Sequence, residues 1–286
     1  MPEMPCNCPR PPSPRLTSPP SQRSAALSPD WFSAKLSQAG KLATLMIAAT
    51  AMITGSMARA QQPVAPKSLP GQEEPSKSGE TLLPGGLRIV SKPINFNQQR
   101  IQLTIAYRRA HQDPKSNDIT IQPRMIILHW TGISSFESAW NYFNRIRAEA
   151  ARPELAAAGE VNVSTHFLVD RNGTIYRLMP ETWMARHCIG LNHVALSIEN
   201  VGDGGSLPLT AEQVKADAAL VRYLAGKYPI THLIGHMEYR RMEGTPYFLE
   251  LDPNYRNTKP DPGAEFMRQV RAQVADLKLE GPPPAR

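Results

Sequence analysis

The side chains best suited to chemistry in this sequence are histidines and carboxylates placed at the ends of apolar runs. There are seven histidines: His111, His129, His166, His187, His193, His232 and His236. One histidine at a strand end is ordinarily structural, whereas two or three that converge with a carboxylate can hold a metal ion. His129 closes the apolar run Met125-Ile126-Ile127-Leu128 and precedes Trp130-Thr131-Gly132, so it stands at a loop mouth. His236 ends a second apolar stretch after Gly235, whose missing side chain permits close backbone approach. His232 and His236 would pair on a helix, but Leu-Ile-Gly after a Tyr-Pro break reads as strand. On a strand they lie about 13 Å apart, at about 3.3 Å per residue. One ion cannot use both, and His236 is the better candidate.

Two carboxylates have readings that composition leaves open. Asp261 lies in Lys259-Pro260-Asp261-Pro262-Gly263. With Pro262 as a first helical residue, Asp261 is an ordinary N-cap; beside Lys259 it is equally an oxygen ligand with a cation nearby. Glu199 sits inside Ala195-Leu196-Ser197-Ile198-Glu199-Asn200. A carboxylate in an apolar strand is costly unless it is paired or functional, so it is either a core ion pair or a working group.

The elements that must position these residues alternate. Strands are predicted at 125–128, 166–170, 174–178, 194–201 and 232–234. Asn172-Gly173 between the second and third is a strong hairpin signal. A helix follows the capping-box pattern Ser134-Ser135-Phe136-Glu137, with Ala139, Trp140, Phe143 and Ile146 on one face. A second box, Thr210 to Gln213, opens a helix through Val214, Ala218, Val221 and Leu224, and a closing helix spans 263–278. Residues 96–111 alternate like a strand but also suit a helix along Ile101, Ile105 and Arg108, and the helix is preferred. The predicted class is α/β, a single domain with a central mixed β-sheet flanked by helices and its site at the strand ends, where sites collect in such folds.

Composition sets the domain limits. Of 28 prolines, 18 fall before residue 95 or after residue 281. The expected organisation is a leader over 1–60, a Pro/Gly/Ser-rich linker over 61–95, a folded domain over 96–280 and a tail over 281–286. The net charge is +7, but residues 1–60 carry six Lys/Arg and two Asp/Glu, so the folded part gives no support for a nucleic-acid partner. Residues 42–58 are uncharged and largely apolar, and Ala58-Arg59-Ala60 has the form of a signal-peptidase site. The run is short and diluted for a stable span, which needs about 20 apolar residues. A cleaved export signal and a periplasmic or secreted mature protein are expected, with no stable membrane span after its removal. Residues 1–41 are long for an n-region, so the start lies downstream or the leader is atypical. Cys6 and Cys8 lie in the leader, and Cys188 is then alone.

Four segments together resemble the zinc-dependent N-acetylmuramoyl-L-alanine amidases, the type shared by bacterial cell-wall amidases, phage amidases and animal peptidoglycan recognition proteins. They are ILHWTG (127–132), VSTHFLVDRNGTIYRLMPE (163–181), ARHCIGLNHVALSIENVG (185–202) and the pair LIGH (233–236) with KPDPG (259–263). The resemblance covers residues 124–270. It implies one zinc per chain held by His129, His236 and Asp261, with Glu199 as the catalytic acid/base and Lys259 beside the developing oxyanion. His187 matches the histidine of the family's Trp-His-Ala-Gly wall segment, and Trp130 and Asn192 join it as candidate substrate contacts. Two departures stand out. The wall tryptophan is Arg186 here, and a tyrosine found before the strand histidine in the phage and animal branches is Thr165. The implied substrate is peptidoglycan or muropeptide, cut between N-acetylmuramic acid and L-alanine. The alternative is a module that recognises peptidoglycan without cutting it; such members lose a zinc ligand.

Overall fold

The computed structural model describes residues 79–82 and 86–284. The leader over 1–60, with the apolar run 42–58, and most of the linker lie outside the described residues. Among the described residues no helix is long and apolar enough to cross a membrane.

Strands β1 (Glu80–Leu82), β2 (Arg88–Ser91), β3 (Met125–Trp130), β4 (Phe167–Val169), β5 (Ile175–Arg177), β6 (Ala195–Asn200) and β7 (His232–Gly235) form one mixed sheet, in the order β1-β2-β5-β4-β6-β3-β7. Helices α1 (Gln98–His111), α2 (Phe136–Asn144), α3 (Pro153–Ala157), α4 (Ala211–Lys227) and α5 (Ala264–Gln273) accompany it. The β4–β5 hairpin is antiparallel, and β6, β3 and β7 run parallel side by side. This is the expected α/β class.

β3 shows why the sheet centre reads as a continuous apolar run. Strands covered on both faces need apolar residues at every position. Ile126 and Leu128 join the core that holds Leu220, Val221 and Leu224 of α4 and Val270 of α5. Met125 and Ile127 point the other way, into a core with Cys188, Leu191, Ile234 and Tyr239. By the period of two, His129 follows Met125 and Ile127 onto that second face. α4 is fixed by the expected reciprocal cap between Thr210 and Gln213. Gln213 also donates to the carbonyls of Val169 and Val201, tying its first turn to two strand ends.

Several elements differ from the sequence expectation. Residues 61–95 are not linker throughout: β1 and β2 lie in them, and β2 pairs in parallel with β5. Strands of three and four residues among Pro and Gly are too short to display an alternating pattern. The α1 helix forms, but Arg100, Thr104, Tyr107 and His111 are buried with Ile105, a polar-rich face that apolar periodicity does not reveal. α2 is capped by Ser135 rather than Ser134 and stops at Asn144, short of Ile146. The closing helix starts at Ala264 with Gly263 as its cap, at φ +88°, so Asp261 is not an N-cap.

Candidate metal centre and cleft

Three adjacent parallel strands deliver the site. His129 and Glu199 are register partners on β3 and β6, which sets both side chains on one face. On the other side of β3, Leu128 pairs with Gly235, so the next residue along, His236, arrives beside His129. Asp261 comes from the segment before α5. A Cβ on Gly235 would stand 3.0 Å from Pro262 Cδ and 3.0 Å from Met267 Cγ. Glycine here lets that segment press against β7 and carries Asp261 to the histidines.

His129 Nδ1 lies 3.0 Å from His236 Nδ1 and 3.2 Å from Asp261 Oδ2, and His236 Nδ1 lies 3.0 Å from the same oxygen. All three residues are buried, and among the described residues they are the one cluster of its kind able to hold a metal, with ligand atoms within 4.8 Å of one another. Two imidazole lone pairs and one carboxylate are the donor set of a catalytic zinc site, which leaves a fourth position free. Burial pushes His129 down to about 4, aided by the charge of His236 and opposed by Asp261. Burial works to raise Asp261, but the charge of His236 and the hydrogen bonds of both histidines outweigh it, holding the carboxyl well below the usual range. His129 is therefore held neutral and Asp261 charged, the forms in which each can bind a metal.

Glu199 is half-buried, with Oε2 out of solvent and without a hydrogen-bond partner. No ion pair holds it among the described residues, so the core ion-pair reading does not apply. Burial and the negative charge of Asp261 push its pKa well up, while Lys259 opposes them. A carboxyl raised in this way suits proton transfer near neutral pH. Lys259 lines the same cleft. His232 sits at the far end of β7, with Nδ1 2.8 Å from Thr231 Oγ1 and its ring against Tyr247, and takes no part in the cluster. His166 is likewise structural, accepting from the Ser197 backbone at Nδ1 and facing the Trp183 carbonyl at Nε2.

The cleft encloses about 270 Å³. Trp130 lines it, with its indole beside Gly204 and Gly263, where a Cβ on Gly204 would fall 2.1 Å from the ring. His187 also lines it but lies behind His129, its Nδ1 3.1 Å from His129 Nε2. Asn192 is fully buried and accepts from the backbone of His187 and Cys188 through Oδ1. Arg186, in place of the family's tryptophan, is buried. It donates to the carbonyls of Leu155, Gly159 and Val161 and lies 4.6 Å over the Tyr107 ring. Sequence reasoning missed the arm of the cleft that this arginine braces, where Tyr107, Tyr142, Arg152 and Tyr255 line the wall. These residues come from α1, α2 and two loops, and no local pattern links them.

The family described as N-acetylmuramoyl-L-alanine amidase, amidase type 2, matches residues 120–264, and the chain belongs to that family. Solved structures similar to it include an N-acetylmuramoyl-L-alanine amidase, LysC, from Clostridium intestinale, 24% identical over 56% of this chain and 88% of that one, with a TM-score of 0.39. A selenomethionine derivative of AmpD is 20% identical over 64% and 93%, at 0.39. Peptidoglycan recognition protein-LE, solved with tracheal cytotoxin, is 16% identical over 57% and 89%, also at 0.39. No curated protein matches the sequence significantly.

Proposed function

We propose that this protein is a zinc-dependent hydrolase that cuts the amide between the lactyl group of N-acetylmuramic acid and L-alanine, in peptidoglycan or muropeptides. The observation that carries the reading is Glu199, an unpartnered carboxylate in register with His129 at the edge of a three-donor cluster. His129, His236 and Asp261 would hold one zinc. Bound there, zinc supplies Lewis acidity, polarising a carbonyl oxygen and acidifying water.

The chain's own groups do the rest. Glu199 takes a proton from the attacking water as the water oxygen bonds to the carbonyl carbon. It returns that proton to the amide nitrogen as the C–N bond breaks, which releases the peptide with a free α-amino group. Lys259 balances the charge that develops on the carbonyl oxygen, a role worth about 2.7–4 kcal/mol in comparable sites. Trp130 offers an aromatic face to the substrate. The reading as a non-cutting recognition module is disfavoured because all three donors, Glu199 and Lys259 are present together. The apolar run 42–58 with Ala58-Arg59-Ala60 supports export, with the mature chain beginning near Gln61 in the periplasm or outside the cell.

Mass spectrometry of products from purified peptidoglycan and defined muropeptides tests the activity. Stem peptides with a free L-alanine amino terminus are expected, in a reaction stopped by chelation and restored by zinc. Substrate that is bound but returned intact would overturn the reading. N-terminal sequencing of protein from cell fractions tests export, and full-length protein in the cytoplasm would overturn that part.

A further inference from the structure

We propose that His187 is a positioning residue for the metal centre: it fixes the tautomer and ring orientation of His129 rather than serving chiefly as a substrate contact. The inference rests on the zinc reading above and deepens it. His129 directs Nδ1 at His236 and Asp261, so Nδ1 must keep its lone pair for a metal, and its one ring proton belongs on Nε2. That Nε2 stands 3.1 Å from His187 Nδ1. His187 Nε2 in turn faces the Ala195 carbonyl at 3.3 Å. A carbonyl only accepts, so the His187 proton sits on Nε2 and its Nδ1 is left as the acceptor His129 requires.

One directed chain results. The Ala195 carbonyl sets the tautomer of His187, His187 accepts from His129, and His129 presents a bare Nδ1 to the cluster. The planes of the His129 and His187 rings stand 83° apart, with centroids separated by 5.1 Å, and the two rings approach through their nitrogens. Asn192 holds the chain from behind. Its Oδ1 accepts from the backbone N–H groups of His187 (2.9 Å) and Cys188 (2.8 Å), which stops the wall segment from turning the ring away. Ala195 opens β6, the same strand that carries Glu199. The acid/base carboxylate and the support for its neighbouring ligand therefore share one strand, and a shift in β6 would disturb both.

Outer partners of this kind change metal affinity or activity by about 10–100-fold when removed. The test uses the full chain and reads zinc affinity by competition with a chelator, beside KM and kcat on a defined muropeptide. His187→Leu removes the acceptor and should weaken zinc binding by about 10–100-fold. His187→Asn can place Oδ1 where Nδ1 stood, and should recover a large part of that loss. Zinc affinity unchanged in His187→Leu, with KM alone raised, would overturn the proposal and leave His187 as a substrate contact, with the amidase reading intact. Failure of the wild-type chain to bind zinc would instead overturn the amidase reading itself. Should His187→Leu not fold, 15N NMR of the zinc-loaded wild type decides. A through-hydrogen-bond coupling from His129 Nε2–H to His187 Nδ1 is expected, and a His187 proton found on Nδ1 would contradict the chain.

Discussion

Glu181, in the segment after β5, and Glu199, within β6, are treated in opposite ways. Glu181 is 2% exposed. Its Oε1 accepts from Arg177 at 2.8 Å, and its Oε2 accepts from Lys227 at 2.9 Å and Tyr228 at 2.8 Å. Burial would raise its pKa, but Lys227 and Arg177 overcome that and pull it below the ordinary value. Glu199 has one oxygen out of solvent with no partner, and burial, joined by the charge of a second carboxylate, Asp261, raises its pKa. Glu181, kept for structure, is surrounded by cations. Leaving a carboxylate bare is costly, and such strain is tolerated where a group must gain and lose a proton.

The largest effect that would sharpen this contrast is at the cluster itself. His236→Ala should drop zinc per chain to background and take cleavage with it, a greater loss than the ~10–100-fold of an outer partner. Metal analysis and the rate assay check this together. Next, Glu181→Gln should cost ~3 kcal/mol of stability, because it strands two cations beside a buried site. Turnover per folded molecule should be unchanged; an inactive but stable variant would erase the distinction between the two glutamates.

Asp217 offers a smaller, pH-dependent effect. Burial holds its carboxyl up at about 8, against a hydrogen bond from Asn200. The folded chain then keeps a proton that the unfolded chain releases near pH ~4. For this group stability falls as pH rises from about 4 to about 8. Asp217→Asn should therefore raise the melting temperature more at pH 8 than at pH 5, and an equal shift at both would contradict the assignment. The smallest effect is expected from His232→Ala, which should leave zinc content near normal. Loss of metal in that variant with retention in His236→Ala would reverse the strand-end assignment.

His129 and His236 were legible as candidate ligands because a strand covered on both faces is an uninterrupted apolar run, and a histidine that ends one is conspicuous. Asp261 was not separable from an N-cap by sequence: the cap proved to be Gly263, and only the close packing allowed by Gly235 shows where the carboxylate goes. The partner of His187 was illegible for a similar reason, since His129 and His187 meet only through strand register and loop packing. β1 and β2 were hidden by their shortness, and the buried face of α1 by its polar residues. Arg186 was visible as a departure from the family pattern, but its role as a brace depends on carbonyls of the segment 155–161 that it reaches only in the folded chain.

The central claim is that Glu199 carries the proton, and Glu199→Gln tests it most directly. The variant keeps the size of the side chain and cannot shuttle a proton. Amide cleavage at saturating substrate, zinc per chain and thermal melting are measured on the same preparations as the wild type. The account predicts turnover lower by at least ~10²-fold, zinc retained, and a melting temperature unchanged or raised. An active variant that melts far below the wild type would contradict it, returning Glu199 to the structural role that Glu181 fills.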